Sequence, residues 1–198
     1  MLQPATPHPP MRQPRIPTVS TDRLTLRGFE TADQPAYAAL RADPDVVRFL
    51  PGGEALVPFA EEIAASRIAA FREGWKRGFG VWAVVERSSG AVVGQAGLAA
   101  MERSAEVEVL YALARPFWGR GYAREAATAA LRFGFETVGL DRIVGYVVPG
   151  NHASVRVLQA VGLRPTGDTT YNGFTVQGFA IEAADWREAA AMNATATP

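Results

Sequence analysis

Glu106–Val138 reads EVEVLYALARPFWGRGYAREAATAALRFGFETV, and the parsing of this stretch decides the fold. Its first part alternates like a strand, with Glu106, Glu108 and Leu110 on one face and Val107, Val109 and Tyr111 on the other. Its last part repeats apolar residues at helical spacing. Ala123, Ala126, Ala127, Ala130, Leu131, Phe135 and Val138 form the stripe, opposite Arg124, Glu125, Thr128, Arg132 and Glu136. Between the two lies Trp118-Gly-Arg-Gly-Tyr122, a glycine-bracketed turn that opens the helix. The first helical N–H groups have no intrahelical partner and the helix dipole favours negative charge, so the turn is a candidate anion site. Gly139 suits the end of the helix. Arg142–Val148, RIVGYVV, is apolar on both faces, as a covered strand should be. Strand, helix and strand then form a βαβ unit with parallel strands and a right-handed crossover.

Outward from this unit the chain supplies the rest of a sheet. Val81–Val85 and Ala91–Leu98 are strands joined through Ser88-Ser-Gly90, and with the 106–113 strand they make a meander. An earlier strand lies in Thr21–Phe29, TDRLTLRGF. A helix starts at Thr31-Ala-Asp33 and stops at Pro44, and a second runs from Phe59 to about Gly74. These two helices are expected to form a flap over one end of the sheet. On the other side, Asn151 N-caps a short helix over 151–161, with Ser154 three residues on. Strands over 163–170 and 174–182 follow, turning at Tyr171-Asn-Gly173, and a helical or frayed tail begins at Ala183.

The expectation is one α+β domain over residues 20–188. It would hold a mixed, mostly antiparallel sheet of six to seven strands around a central parallel pair, with helices on both faces. Residues 1–19 read as a disordered leader, since prolines stand at 4, 7, 9, 10, 14 and 17. Residues 189–198 read as a tail.

Composition narrows the function classes. A chain of 198 residues suits one domain with a real core. Twenty basic against twenty acidic residues give a nucleic-acid partner no support. The absence of cysteine excludes disulfides, thiolate metal sites and a cysteine nucleophile. Two histidines, His8 and His152, cannot build a histidine-rich metal site, so no metal is expected. No apolar run has membrane-spanning length and no signal-peptide core is visible, so a cytoplasmic protein without a membrane partner is the default. Oligomeric state is not readable from these patterns.

Trp118-Gly-Arg-Gly-Tyr-Ala123 after a strand, followed by Asn151-His-Ala-Ser154 after the next strand and Val161-Gly-Leu163 beyond it, resembles the GNAT acetyltransferase superfamily. Within it, the opening TDRLTLRGF and closing Phe179–Trp186, FAIEAADW, resemble the ribosomal-protein N-acetyltransferase branch, the Rim-type group. The resemblance covers about Ser20 to Glu188. It implies a GNAT-like fold and acetyl-CoA as cosubstrate. The family's pyrophosphate loop, Q/R-x-x-G-x-G/A, maps onto Trp118, Gly119, Arg120, Gly121, Tyr122 and Ala123, with Arg120 or Arg124 adding charge-assisted contacts. Trp118 stands where the wider family has Gln or Arg. The backbone of Tyr111, Ala112 and Leu113 is implied to pair with the pantetheine arm.

The resemblance also implies the chemistry. An amine acceptor must lose a proton to attack a thioester, and the departing thiolate takes one back. Glu108 is the candidate general base, acting through water, with Glu106 on the same face as a rival. Ser154 is the candidate general acid, and Asn151 holds the cosubstrate. Many family members carry a tyrosine seven residues after this asparagine, and here that position is Leu158. Two readings therefore stand: an N-acetyltransferase acting on a protein N-terminus or a small-molecule amine, and a non-catalytic acyl-CoA-binding regulatory domain of the same fold.

Overall fold

The computed structural model describes residues 16–101, 104–171 and 173–195. Eight strands form one sheet: β1 (Val19–Ser20), β2 (Leu24–Arg27), β3 (Val81–Glu86), β4 (Val92–Ala100), β5 (Val107–Leu113), β6 (Arg142–Val147), β7 (Arg164–Tyr171) and β8 (Phe174–Glu182). Their order across the sheet is β1-β2-β3-β4-β5-β6-β8-β7. The mixed architecture matches the expectation, and the strand number exceeds the six to seven expected because Val19–Ser20 adds a short edge strand to β2.

That edge strand also corrects the N-terminal boundary. Residues 1–15 of the proline-rich leader lie outside the described residues, but its last four, 16–19, belong to the domain. Ile16 and Val19 pack against the core, and the Pro17 carbonyl accepts the Trp82 indole N–H at 2.8 Å. Proline density does not bar such a seat, because an edge position needs few donors from the incoming chain.

The helices lie on both faces. β3 is buried along its whole length, and its alternation separates two cores. Ala83 joins Phe29, Tyr37, Leu40, Val46, Ala64 and Ile68 beneath α1 (Gln34–Arg41), the short α2 (Pro44–Val47) and α3 (Ala60–Gly74). Trp82 and Val84 face the larger core, with Val109, Ala126, Ala130, Leu131, Ile143 and Leu158. That face carries α4 (Tyr122–Arg132) and α5 (His152–Ala160). The predicted crossover helix is thus α4, prolonged by one π turn over Phe133–Val138 and ended at Gly139, whose φ is +79°. Gly134 sits where a Cβ would come within 2.7 Å of Ile143 Cδ1 and 2.9 Å of Leu98 Cδ1, so a larger residue would displace those side-chain tips where this end of the helix lies on the sheet. The tail beyond β8 is helical over α6 (Ala183–Thr195).

The start of α1 is pinned electrostatically. Asp33, 3% exposed, receives two parallel bonds from the Arg27 guanidinium at 2.7 and 2.8 Å and the Glu30 N–H at 2.7 Å. This fixes α1 against β2 and sets the direction in which its last turn points.

Candidate active site

β5 and β6 pair in parallel at one register position, Glu108 with Val144, and then diverge. β5 continues on β4 through Leu113, opposite Gly94. The β6-facing backbone of Leu110–Leu113 is therefore left without a strand partner among the described residues, and a bound chain can add there. The divergence opens a cleft of about 1790 Å³ that runs from α4 to the α1–α3 face. Its walls include Glu108, Tyr111, Ala112, Leu113, Trp118, Gly119, Gly121, Tyr122, Ala123, Arg124, Asn151 and Ser154.

At one end stands the glycine turn. Gly119 and Gly121 have φ of +73° and +78°, and Gly121 is the N-cap of α4. Glycine adopts this conformation without strain, and it brings no side-chain acceptor for the first free N–H groups of the helix. Those donors, with the exposed Arg124 beside them, fit a diphosphate. The other side chains of the turn serve different ends. Arg120 does not line the cleft: its guanidinium lies 5.3 Å from the Phe117 ring centroid and 3.4 Å from Glu86. Tyr122 is buried and donates its hydroxyl to Glu86 at 2.6 Å. Trp118 donates its indole N–H to the Leu113 carbonyl at 2.7 Å, tying the turn to the end of β5 and occupying that carbonyl. Glu86, bonded by Ser89 and Tyr122 and held below the usual carboxylate range by them, anchors the turn from the far side.

A second anchor comes from the β1–β2 connection. Glu125 accepts from the Thr21 hydroxyl at 2.6 Å and the Arg23 N–H at 2.9 Å, and pairs with the Arg23 guanidinium at 2.6 Å. Arg23 also donates to the Arg120 carbonyl at 2.8 Å. The turn is preorganised by groups that never face the cleft.

At the junction stands Glu108. Burial pushes its carboxyl up from 4.5 to about 7, against the opposing effect of a hydrogen bond from the Tyr146 backbone N–H. Its strand neighbours Val107 and Val109 pack in the α4 core, so Glu108 faces the α1–α3 side. Glu106, the rival, is engaged otherwise: the Tyr146 hydroxyl donates to it at 3.0 Å and Arg142 approaches to 3.5 Å. The strand pattern alone could not separate the two glutamates, because they share a face, and their neighbours on β6 do.

Across the cleft, Asn151 caps α5 by accepting the Ser154 N–H at 3.1 Å, which leaves its amide NH₂ as a donor. The Ser154 carbonyl receives the Tyr111 hydroxyl at 3.1 Å, so this phenol ties β5 to the first turn of α5. Burial raises the Tyr111 phenol far above its ordinary value and keeps it protonated. Leu158 is buried against Gly145, which closes that position to a phenol on α5.

Two groups went unnoticed in the sequence. Tyr146 touches both glutamates and stacks on Tyr171 with centroids 5.4 Å apart; its place on the inner face of RIVGYVV was the available signal. Arg41, in the last turn of α1, is 4% exposed. Nothing in the sequence marks it, since a basic residue closing a helix is ordinarily solvated. Among the described residues no group of three or more His, Asp and Glu could hold a metal ion, and no helix is long and apolar enough to cross a membrane.

An open parallel pair, a helix N-terminus at its mouth and a carboxyl raised to about 7 by burial share one cleft. The family comparison names the class of protein this cleft belongs to. Residues 23–164 match the model described as "Acetyltransferase (GNAT) domain", and the chain belongs to that family of acetyltransferases. It is similar to the uncharacterized protein YkkB of Bacillus subtilis (strain 168), 32% identical over 148 residues, 72% of this chain and 83% of the relative. It is also similar to the FsC-acetyl coenzyme A-N(2)-transacetylase of Aspergillus fumigatus, 29% identical over 182 residues, 86% of this chain and 74% of the relative. Among solved structures, the acetyltransferase of Agrobacterium tumefaciens str. C58 superposes with a TM-score of 0.73 at 30% identity, covering 84% of this chain and 95% of that one.

Proposed function

We propose that this acetyltransferase moves an acetyl group from acetyl-CoA to a primary amine by direct attack in a ternary complex. The observation that carries the proposal is Glu108, a carboxyl raised to about 7 at the one position where β5 and β6 still pair. A base with this affinity takes a proton from an ammonium and still releases it to solvent at neutral pH.

In this reading the donor's diphosphate lies on the free N–H groups of Gly119–Arg124, and its pantetheine arm runs along Tyr111 and Ala112. Arg120 and Tyr122 hold the turn through Glu86, and Trp118 ties it to the end of β5. The amine enters from the α1–α3 side and passes a proton to Glu108 through water. The free amine then attacks the thioester carbonyl, the C–N bond forms, the C–S bond breaks, and the proton that the nitrogen sheds as the amide forms passes through the Ser154 hydroxyl to the departing thiolate. Asn151 donates to the donor from its free amide. Holding both reactants in one cleft removes much of the entropic barrier, so neither proton-transfer group has to carry the whole rate. The Aspergillus relative, named as an acetyl coenzyme A-N(2)-transacetylase, supports the same donor and the same kind of bond.

The acceptor in this reading is a protein N-terminus or a small-molecule amine, and the ribosomal-protein branch rests on TDRLTLRGF and FAIEAADW. A cytoplasmic location accompanies this reading. One observation favours the second reading, a binding module: Leu158 fills the place of the usual phenol. Thiol release from acetyl-CoA, measured against a panel of amines and N-terminal peptides, separates the two. At least one acceptor should raise release well above the acceptor-free rate. Binding of acetyl-CoA with no acceptor-dependent release would establish the binding module instead.

A further inference from the structure

Among the described residues, Arg41 has no anionic partner. It is 4% exposed, its Nε is shielded from solvent, and no hydrogen bond reaches that atom. The titratable groups that act on it are the Tyr37 phenol, one turn back, and the Arg67 guanidinium on α3, a like charge. Tyr37 cannot neutralise it: burial pushes that phenol up to about 12, and its hydroxyl is bonded to Gln95 on β4. Arg41 and Arg67 both line the cleft, on the face occupied by α1 and α3.

The acids on the same cleft wall are already committed. Asp45 lies between Arg48 and Arg115, 3.7 Å from each. Glu106 is held by Tyr146 and Arg142. Glu108 sits in a place that disfavours its own charge. Arginines are almost never buried this far unless paired, and the Arg41 atom that is both shut off from solvent and unbonded is Nε. The missing anion therefore comes from outside the chain. The phosphates of the donor are a poor source, because the free N–H groups of the glycine turn and Arg124, at the α4 end of the cleft, already suit them.

We propose that Arg41, with Arg67 beside it, recognises a carboxylate on the acceptor, so that the amine acetylated belongs to a small amino acid. This rests on the N-acetyltransferase reading above. An Arg fork offers two parallel N–H donors that match a planar carboxylate, and partial burial strengthens the pair. Acceptor orientation then follows: the acid end is gripped beneath α1 while the amino end reaches toward Glu108 on the same face.

The test uses the full chain. Thiol release is measured with free amino acids representing each side-chain class and with their carboxamides. The acids should show at least tenfold higher kcat/KM than the amides, expressed mainly in KM. Arg41→Met should bring the two series within about twofold, leave the KM for acetyl-CoA unchanged, and keep or raise Tm, since it removes an unpaired buried charge. A purely structural Arg41 would lower Tm instead. Calorimetry of the CoA-loaded protein with N-acetylated amino acids and their amides reads the same recognition without turnover, and the wild-type comparison stands even where the variant fails to fold. Equal rates and equal binding for acids and amides would overturn the proposal while leaving the transferase reading intact. Acid-selective binding with no turnover of any amine would uphold the carboxylate site and remove the transferase reading.

Discussion

At the scale of single residues, the site turns on two neighbours of opposite fate. Glu106 and Glu108 lie two positions apart on one strand face, yet the first is held by Arg142 and the Tyr146 hydroxyl while the second is enclosed with one backbone donor. The kcat/KM of the wild type should therefore rise with pH along a limb near 7 and level off above it. Glu108→Gln should lower kcat/KM at pH 7 by about 10²-fold, and the loss should shrink at high pH as more of the acceptor arrives already deprotonated. An unchanged pH profile in this variant would remove Glu108 from the mechanism. Stability moves the other way. The unfolded glutamate ionises near 4.5 and the folded one near 7, so between these values the native state keeps a proton that the unfolded chain has released. Stability from this group is thus lost as pH rises through that window. The displacement corresponds to at most about 3 kcal/mol. Denaturant unfolding at pH 8 and pH 4 should show Glu108→Gln more stable than wild type at pH 8 by about 1–3 kcal/mol, with the difference gone at pH 4.

At the scale of elements, the decisive unit is β5, the glycine turn and α4. Gly121 sits at φ +78° in open surroundings, and a Cβ added there would meet only Arg23 Nη2, the tip of a flexible side chain, at 3.4 Å. A Gly121→Val change therefore acts through backbone conformation rather than through a clash. A β-branched residue at positive φ costs about 1–2 kcal/mol. The bonds from Arg23, Glu86 and Glu125 should hold the domain together regardless. Calorimetry should find acetyl-CoA affinity reduced by at least tenfold with the fold retained by circular dichroism; wild-type affinity would refute the turn as the phosphate site. This element was legible in the sequence because its signals are local: a period of two, a pair of glycines, then a period of 3.6. What was not legible is the division of labour inside the turn. Arg120 and Arg124 look equivalent on paper, but Arg120 is drawn behind the turn by Glu86 and the Phe117 ring, and only Arg124 of the two faces the cleft. Glu86 lies thirty-odd residues away in sequence, and no local pattern announces such a partner.

At the scale of the whole molecule, the sheet is built to be incomplete. Among the described residues every other neighbouring pair of strands continues beyond a single position, whereas β5 and β6 meet at Glu108 and Val144 alone. The parallel pair itself was readable from the covered strand RIVGYVV and the crossover helix, but its divergence was not, since strand composition does not encode where pairing stops. Arg41 belongs to the same class of hidden fact: its burial is decided by α3 and β4 folding over it. A fold that leaves backbone groups, helix N–H donors and a cation facing one cleft is poorer in internal pairing than it would be with the cleft filled, and filling it should stabilise the chain as a whole. A ligand present at a hundred times its Kd, binding only the native state, adds about 2.7 kcal/mol. For a domain of this size each kcal/mol raises Tm by about 2–4 °C, so saturating acetyl-CoA should lift Tm by about 5–10 °C. Scanning calorimetry with and without acetyl-CoA measures this directly, and Gly121→Val supplies the control in which a tenfold weaker affinity should cut the lift to about half. A wild-type Tm that ignores acetyl-CoA at millimolar concentration would mean that the opening between β5 and β6 is not where the donor binds.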